Sequence, residues 1–384
     1  MRRVRATLRL LEYASPTVGQ KLAYDKTGII VKRHSDSDSS FEKIRTLAGK
    51  DWGAIRDAAV NAAKMRNQIG ESLPQNRSPL NEDCSLVVFG SLARDEWTTG
   101  SDVDWTLLSD GQADPEHLRG AQKISELRTV KKPGATGVFG DLCFSHDLVH
   151  QIGGLQDTNE NTTRRVLLLL ESTTVGGHTE AYERVLRAVL NRYVEDDPST
   201  GGSDANTRKL PRFLLNDVVR FWRTIAVDFA SKQRERAGRG WGLRNAKLRF
   251  SRKLTFASGL LMCFECALAD PPESSRADSP SSTIAKLLIR SAGSTAIERI
   301  AQASVTHGRV DAAVMLFDAY DMFLAIINDE RNRAALEKLR SDDSHNDNEF
   351  QTIRALGHDF QKALDALFFD TPKIAELTKK YGVF

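Results

Sequence analysis

The chain has 384 residues, of which 40% are apolar and 27% charged, and its formal net charge at pH 7 is +3. That composition belongs to a globular protein with room for two or three domains and a cleft between lobes, and it excludes a polyelectrolyte. Any attraction for nucleotide or nucleic acid must come from local clusters of charge. Four cysteines, Cys84, Cys143, Cys263 and Cys266, are too few for a disulfide framework in a chain this long. Cys263 and Cys266 have CxxC spacing, but they lie in an apolar helical run without a second ligand pair, so they read as packed thiols. No apolar run reaches membrane-spanning length, and the basic start MRRVRATLRL lacks the apolar core of a secretory signal. A cytoplasmic location is expected.

In chain order, residues 27–31 suggest a strand and residues 33–40 a polar loop. Residues 41–71 turn helical: Ile44, Leu47, Trp52, Ile55, Ala58, Ala59 and Met65 recur at helical steps, which predicts one amphipathic helix or a pair broken near Gly49. Such a helix can pack behind the strand that follows. Residues 73–83, rich in Pro, Asn and Ser, read as a loop.

Residues 85–89, SLVVF, predict a buried strand ending in the turn Gly90-Ser91, and a second strand is expected from Asp102 through Leu108. Residues two apart on a strand point the same way, so Asp102 and Asp104 would present their carboxylates together. Two carboxylates that close repel unless a cation lies between them, and hard oxygen ligands suit Mg²⁺ or Mn²⁺ completed by water and phosphate. Glycine lets backbone approach a phosphate closely, and the N–H and hydroxyl of Ser91 can donate to it. A helix near residues 115–128, a Lys-Lys-Pro-Gly loop at 131–134 and a strand at 137–144 carrying Asp141 follow, giving a mixed α/β region.

Gly90, Ser91, Asp102 and Asp104 resemble the mark of the nucleotidyltransferase superfamily with the DNA-polymerase-β-like fold, a Gly-Ser turn, a loop and Asp-x-Asp on a strand. Arg94-Asp95-Glu96 followed by Ser101-Asp102-Val103-Asp104 is similar to the form found in PII uridylyltransferases, glutamine synthetase adenylyltransferases and a set of uncharacterised nucleotidyltransferases. The chain departs from that form at Ala93, where glycine is usual. The resemblance spans roughly residues 84–154. It implies a third metal-binding carboxylate on a later strand, for which Asp141 is the choice and Asp147 the substitute. It also implies that Gly90 and Ser91, with Arg94 and Glu96 in the same loop, belong to the nucleotide site.

His146 and His150 are four apart in HDLVH but have no further ligand in view, and a helix lining the lobe is the plainer reading. Arg164 and Arg165, in the first turn of an apolar helix, either reach substrate phosphates or face water. Residues 195–206, EDDPSTGGSDAN, read as a linker. The expected division is therefore a catalytic region over 1–195 that includes the N-terminal helices, a linker over 196–207 and an all-α domain over 208–384, an α+β architecture overall.

The helical part opens with an apolar face at Phe213, Leu214, Val218, Phe221, Trp222, Ile225 and Phe229, then a run of cations over 232–253 interleaved with Trp241 and Phe250. In the superfamily such a helix offers cations to the triphosphate, which gives Arg220, Arg244 and Lys247 as candidates. A solvated basic face or a nucleic-acid patch reads the same residues equally well. Further helices are expected over 284–291, 295–304, 310–328, 332–339 and 350–369. Arg354 and His358, one turn apart, read as surface or packing residues. The expected activity is metal-dependent transfer of a nucleoside monophosphate from an NTP, ATP or UTP, to an acceptor hydroxyl on a protein, an RNA or a small molecule. The rival is a regulator or RNA-binding protein that keeps the fold without the chemistry.

Overall fold

The computed structural model describes residues 39–73, 82–127, 138–195, 197, 210–269 and 280–382. The strand expected over 27–31, the loop at 131–134 and nearly all of the linker lie outside them. Four strands form one mixed sheet: β1 Cys84–Phe89, β2 Asp104–Ser109, β3 Asp141–Phe144 and β4 Ser172–Gly177, in the order β3-β2-β1-β4. Both β2 and β4 run antiparallel to β1, while β3 runs parallel to β2. All six residues of β1 are buried because both faces of this central strand are covered, which is why its sequence shows a continuous apolar run. On one face Val87, Phe89, Leu108 and Cys143 join the larger core. On the other, Leu86, Val88, Trp105 and Leu107 meet Ala62 and Ile69 in a smaller one.

Two helices precede the sheet, α1 Ser40–Ala48 and α2 Gly53–Ser72. They are separated, as the periodicity suggested, at Gly49, whose left-handed backbone (φ 63°) closes α1. Within and beyond the sheet come α3 Pro115–Ser125, α4 Ser145–Val149, α5 Asn159–Leu170 and α6 Thr179–Glu195. The helical remainder comprises α7 Arg212–Glu235, α8 Trp241–Lys247, α9 Lys253–Leu268, α10 Pro280–Ala292, α11 Ala296–Thr306, α12 Val310–Asn328, α13 Glu330–Lys338, α14 Asn348–Phe369 and α15 Pro372–Leu377. A π-turn over Leu248–Arg252 joins α8 to α9. The architecture is thus a small mixed sheet followed by helices, as the sequence pattern implied.

The larger core runs without a break from the sheet face at Val87 and Phe89 to Phe250, Phe264 and Phe360 in the helices. The N-terminal helices are tied into it as well. Glu298 in α11 accepts from Ser39 Oγ and Ser40 N, each at 2.6 Å, and Asp318 in α12 accepts from Trp52 Nε1 at 2.9 Å. No described helix is long and apolar enough to cross a membrane. The four cysteines are buried free thiols, and burial raises the pKa of each.

Candidate active site

The register of β1 against β2 places Phe89 opposite Asp104, so the residue after Phe89 meets that carboxylate. Gly90 makes this possible twice over. Its φ of 65° lies in the left-handed region, and a Cβ added there would stand 3.0 Å from Asp104 Oδ2. The chain then winds through a short 3₁₀ turn, Gly90–Leu92, closed by the Arg94 N–H donating to the Gly90 carbonyl at 2.9 Å. Arg66 of α2 grips this turn from behind, donating to the Leu92 carbonyl at 2.5 Å and pairing with Asp95 at 2.7 Å. Arg333 of α13 holds the far side of the loop, donating to the Gly100 carbonyl at 2.6 Å and to Thr98 Oγ1 at 3.2 Å.

These clamps explain one departure from the expected strands. The second strand begins at Asp104 rather than Asp102, because Thr98 and Ser101 bond to each other while Arg333 bonds Thr98 and the Gly100 carbonyl, holding the preceding residues in a loop. Asp102 is exposed in that loop, close enough to Asp104 for its charge to act on it. Burial pushes the Asp104 carboxyl up to about 6; Arg252 and Lys247 oppose the shift, while Glu171 and Asp102 add to it. Asp141, the first residue of β3, pairs with Thr106 and so lies on the same sheet face as Asp104, one strand over and two residues along. From strand spacing and rise that is about 8 Å between Cα atoms. Asp141 is exposed, and its Oδ1 accepts from the Leu142 N–H at 2.7 Å. Asp147 lies in α4, beyond the end of β3 that leads away from Asp104.

Among the described residues no three acidic, histidine or cysteine side chains gather closely enough to hold an ion between them. Asp104 with Asp102 beside it is a pair. A partly desolvated carboxylate with a second acid close by is a donor set that fits Mg²⁺ or Mn²⁺, since Mg²⁺ is commonly held by one or two carboxylates plus phosphate oxygens.

Cations reach this surface from the helices. Lys247 closes α8 and Arg252 ends the π-turn. Five residues apart on an α-helix, they would diverge by about 140° at 3.6 residues per turn. The wider i→i+5 turn between them brings both toward one face, and both act on Asp104. Burial lowers the Lys247 pKa to about 8; Arg333, Arg252 and Arg94 lower it too, against the pull of Asp102. The other two expected cations stand elsewhere. Arg244 is spent on its own helix start, donating to the carbonyls of Gly240 and Arg239 at 3.1 and 3.0 Å and covering the Phe229 ring. Arg220 bonds Asn159 at 2.9 Å, at the end of α5 remote from the turn. The cation-rich run 232–253 is therefore not one patch: Lys232 pairs with Asp228, Lys253 bonds Gln361, and only Lys247 and Arg252 turn inward to Asp104.

Arg94 and Glu96 lie inside, at 5% and 3% exposure. Arg94 pairs with Glu96 at 2.9 Å and with Glu171, the residue after α5, at 2.5 Å. Glu171 also accepts from Arg252 and from Thr255 Oγ1, both at 3.0 Å. One carboxylate thus bonds the Gly-Ser loop to the helices that bring Lys247 and Arg252. Its cationic partners hold the Glu171 carboxyl below the usual range against the cost of burial. Arg165 is fully buried between Asp157 and Asp217, each at 2.9 Å, and Arg164 braces the Val138 carbonyl at 2.8 Å. The His146 and His150 rings pack at a tilt of 43° with centres 4.8 Å apart.

Sequence reasoning passed over Arg66, Glu171, Arg252, Arg333 and the strand β4. For β4 the signal was present, a Thr-Thr-Val run closed by Gly176-Gly177 directly after an apolar helix. For Glu171 it was weak: a single carboxylate ending the run Leu167 to Leu170.

The left-handed glycine, the strand carboxylate beside it and the opposing cations thus lie together at one end of the sheet. Residues 68–135 match the family model described as a nucleotidyltransferase domain, and that stretch, from the end of α2 through the Gly-Ser turn and both aspartates to beyond α3, carries such a domain. No curated protein matches the chain.

Proposed function

We propose that this protein transfers a nucleoside monophosphate from an NTP to an acceptor hydroxyl, with pyrophosphate leaving. The observation that carries the reading is the closeness of Gly90 to Asp104 Oδ2: a phosphate cradled by the turn would lie against the carboxylate that holds the metal. The Gly90 backbone and Ser91 would bind the outer phosphates, donating from N–H and hydroxyl. Asp102 and Asp104 would hold Mg²⁺ or Mn²⁺, with Asp141 at the acceptor side of the same face. When bound, the ion supplies charge neutralisation and polarises phosphate oxygen. Lys247 and Arg252 neutralise the triphosphate from the opposite wall, the positioning and charge compensation on which phosphoryl transfer depends. Arg94 and Glu96 brace the turn from beneath rather than touching nucleotide, and Arg220 and Arg244 take no part.

ATP or UTP as donor and a protein hydroxyl as acceptor follow from the likeness of the loop to the uridylyl- and adenylyltransferases, and a cytoplasmic setting is part of the same reading. In this reading 1–195 is the catalytic region, 196–207 the linker and 208–384 the helical domain that closes the cleft. The test is incubation with Mg²⁺ and each α-labelled NTP, alone and with cell extract, beside an Asp102→Ala, Asp104→Ala variant. Label transferred by the parent and not by the variant supports the proposal. Labelling that is absent from both, or equal in both, overturns it.

A further inference from the structure

A pocket opens on the outer face of α7. Arg212, Asn216, Arg220 and Arg223 line it at intervals of three and four residues, so they share one helical face; Asn159 at the start of α5 and Tyr381 close its sides, and the cavity is about 540 Å³. Among the described residues no carboxylate lines it. Described acids beside it are engaged: Asp157 by Arg165, with Arg220 at 4.0 Å, Asp217 by Arg165 and Tyr193, and Asp197 by the Arg212 and Phe213 N–H groups. Arg223, one turn beyond Arg220, is exposed and forms no ion pair or hydrogen bond among the described residues. Arg212 stands over the Tyr381 ring at 5.4 Å and Lys380 at 5.1 Å. Lys380 and Arg212 together hold the Tyr381 hydroxyl below its ordinary pKa, the mark of a positive local potential.

This pocket is not an extension of the catalytic surface. Asn159 begins the twelve-residue α5, and Glu171, which follows its other end, contacts Arg94 and Arg252. At 1.5 Å per residue the two ends are about 18 Å apart.

We propose that the pocket binds a phosphorylated ligand of nucleotide size, separately from the catalytic site. Arg220 and Arg223 take the phosphate. Arg220 is already oriented by Asn159 at 2.9 Å. Leu215, Val219 and the Tyr381 ring supply the apolar surface for a base or sugar, and the volume falls in the range of small-molecule sites. The ligand's effect would pass along α5, since Arg165 locks that helix to α7 through Asp217 while Glu171 ties its other end to the Gly-Ser loop.

The test is equilibrium binding of a fluorescent ADP analogue to the full chain in EDTA, with inorganic pyrophosphate, AMP, ribose 5-phosphate and adenosine as competitors. The parent and an Asp104→Ala variant are expected to bind alike, with the phosphorylated competitors displacing the probe and adenosine failing to. Arg220→Ala and Arg223→Ala are each expected to weaken binding about tenfold, the worth of one charge-assisted hydrogen bond. Arg223→Ala removes an exposed side chain that has no partner among the described residues, and circular dichroism is expected to be unchanged. Absence of saturable binding up to millimolar probe overturns the proposal. So does binding that survives both arginine changes, or that is lost with Asp104→Ala, which would place the nucleotide in the catalytic cleft. Tighter binding of a random-sequence oligonucleotide than of the probe, lost in the same arginine variants, would replace it with a nucleic-acid surface.

Discussion

Replacing Glu171 with Gln should unlock the catalytic loop from the helices at a measurable cost in stability. The side chain is 1% exposed and its strongest partner, Arg94, 5% exposed, so the pair at 2.5 Å is sealed from water. Breaking a buried ion pair by removing one charge costs about 3–5 kcal/mol. Two features pull the figure to the lower end. Arg94 keeps Glu96 as a counter-charge at 2.9 Å, and the amide oxygen of Gln still accepts from Thr255. The Arg252 arm is one-third exposed, at 33%, and screened accordingly, which leaves it below about 1 kcal/mol. The expected loss at pH 7 is therefore about 3 kcal/mol, read by urea unfolding with tryptophan fluorescence and circular dichroism followed together.

The loss has a defined pH dependence. The Glu171 pKa is lowered in the folded chain from 4.5, so its contribution is complete above that value and disappears as pH falls through the folded pKa. The difference between parent and Glu171→Gln should be flat above about pH 7, change slightly near pH 6 because Glu171 helps raise the Asp104 carboxyl, and shrink below about 4.5. As a control, Glu116→Gln breaks an exposed pair with Arg119 and should cost under about 0.5 kcal/mol. A Glu171→Gln cost below about 1 kcal/mol at pH 7, or one that persists unchanged into acid, would refute the picture of a buried ionic joint.

Gly90→Ala should reduce transferase activity by about a hundredfold, because the new methyl forces the turn away from Asp104, and should cost about 1–2 kcal/mol through the left-handed backbone; steady-state kinetics that match the parent would contradict this. Lys247→Met should weaken NTP binding about tenfold while raising stability at pH 7 by about 1–2 kcal/mol, since the fold disfavours the lysine proton. Its folded pKa of about 8 lies below 10.5, so the parent's penalty is complete below pH 8 and is relieved as pH climbs toward 10.5; the advantage of the variant should fade over that interval. Arg333→Ala removes the bonds to Thr98 and the Gly100 carbonyl and should raise the hydrogen-exchange rate of the loop before Asp104, with unfolding free energy changed by about 1 kcal/mol.

The parts of the fold that were legible in the sequence are those fixed by local chemistry. The continuous apolar run and burial of residues 85–89, the break at Gly49 and the helix pattern from Val310 to Asn328 each follow from local pattern or from one residue's backbone freedom. The Gly-Ser turn and Asp104 were readable for the same reason, since a left-handed glycine next to a strand carboxylate is a short-range arrangement. What was not legible depends on distant partners. Arg220 and Lys247 look alike as cations on helices after the linker, yet one reaches Asn159 and the other acts on Asp104. No local pattern separates them, because the difference is made by which helix packs over the sheet.

The π-turn shows why this matters for the chemistry. Had residues 241–268 formed a regular α-helix, Lys247 and Arg252 would lie on different faces, and only one could oppose the aspartates. The inserted turn spends one regular hydrogen-bond repeat to align both, and Phe250, fully buried within that turn and stacked on Phe323 with ring centres 4.4 Å apart, holds it in place. The helical region is therefore more than a cover for the sheet: its packing against Phe250 sets the spacing of the cations, and the Arg252–Glu171–Arg94 chain fixes that spacing relative to the turn. A site whose two walls are joined through a buried carboxylate rather than by sequence proximity cannot be assembled by the small sheet alone, which is the physical reason the aspartate-bearing strands need so large a helical partner.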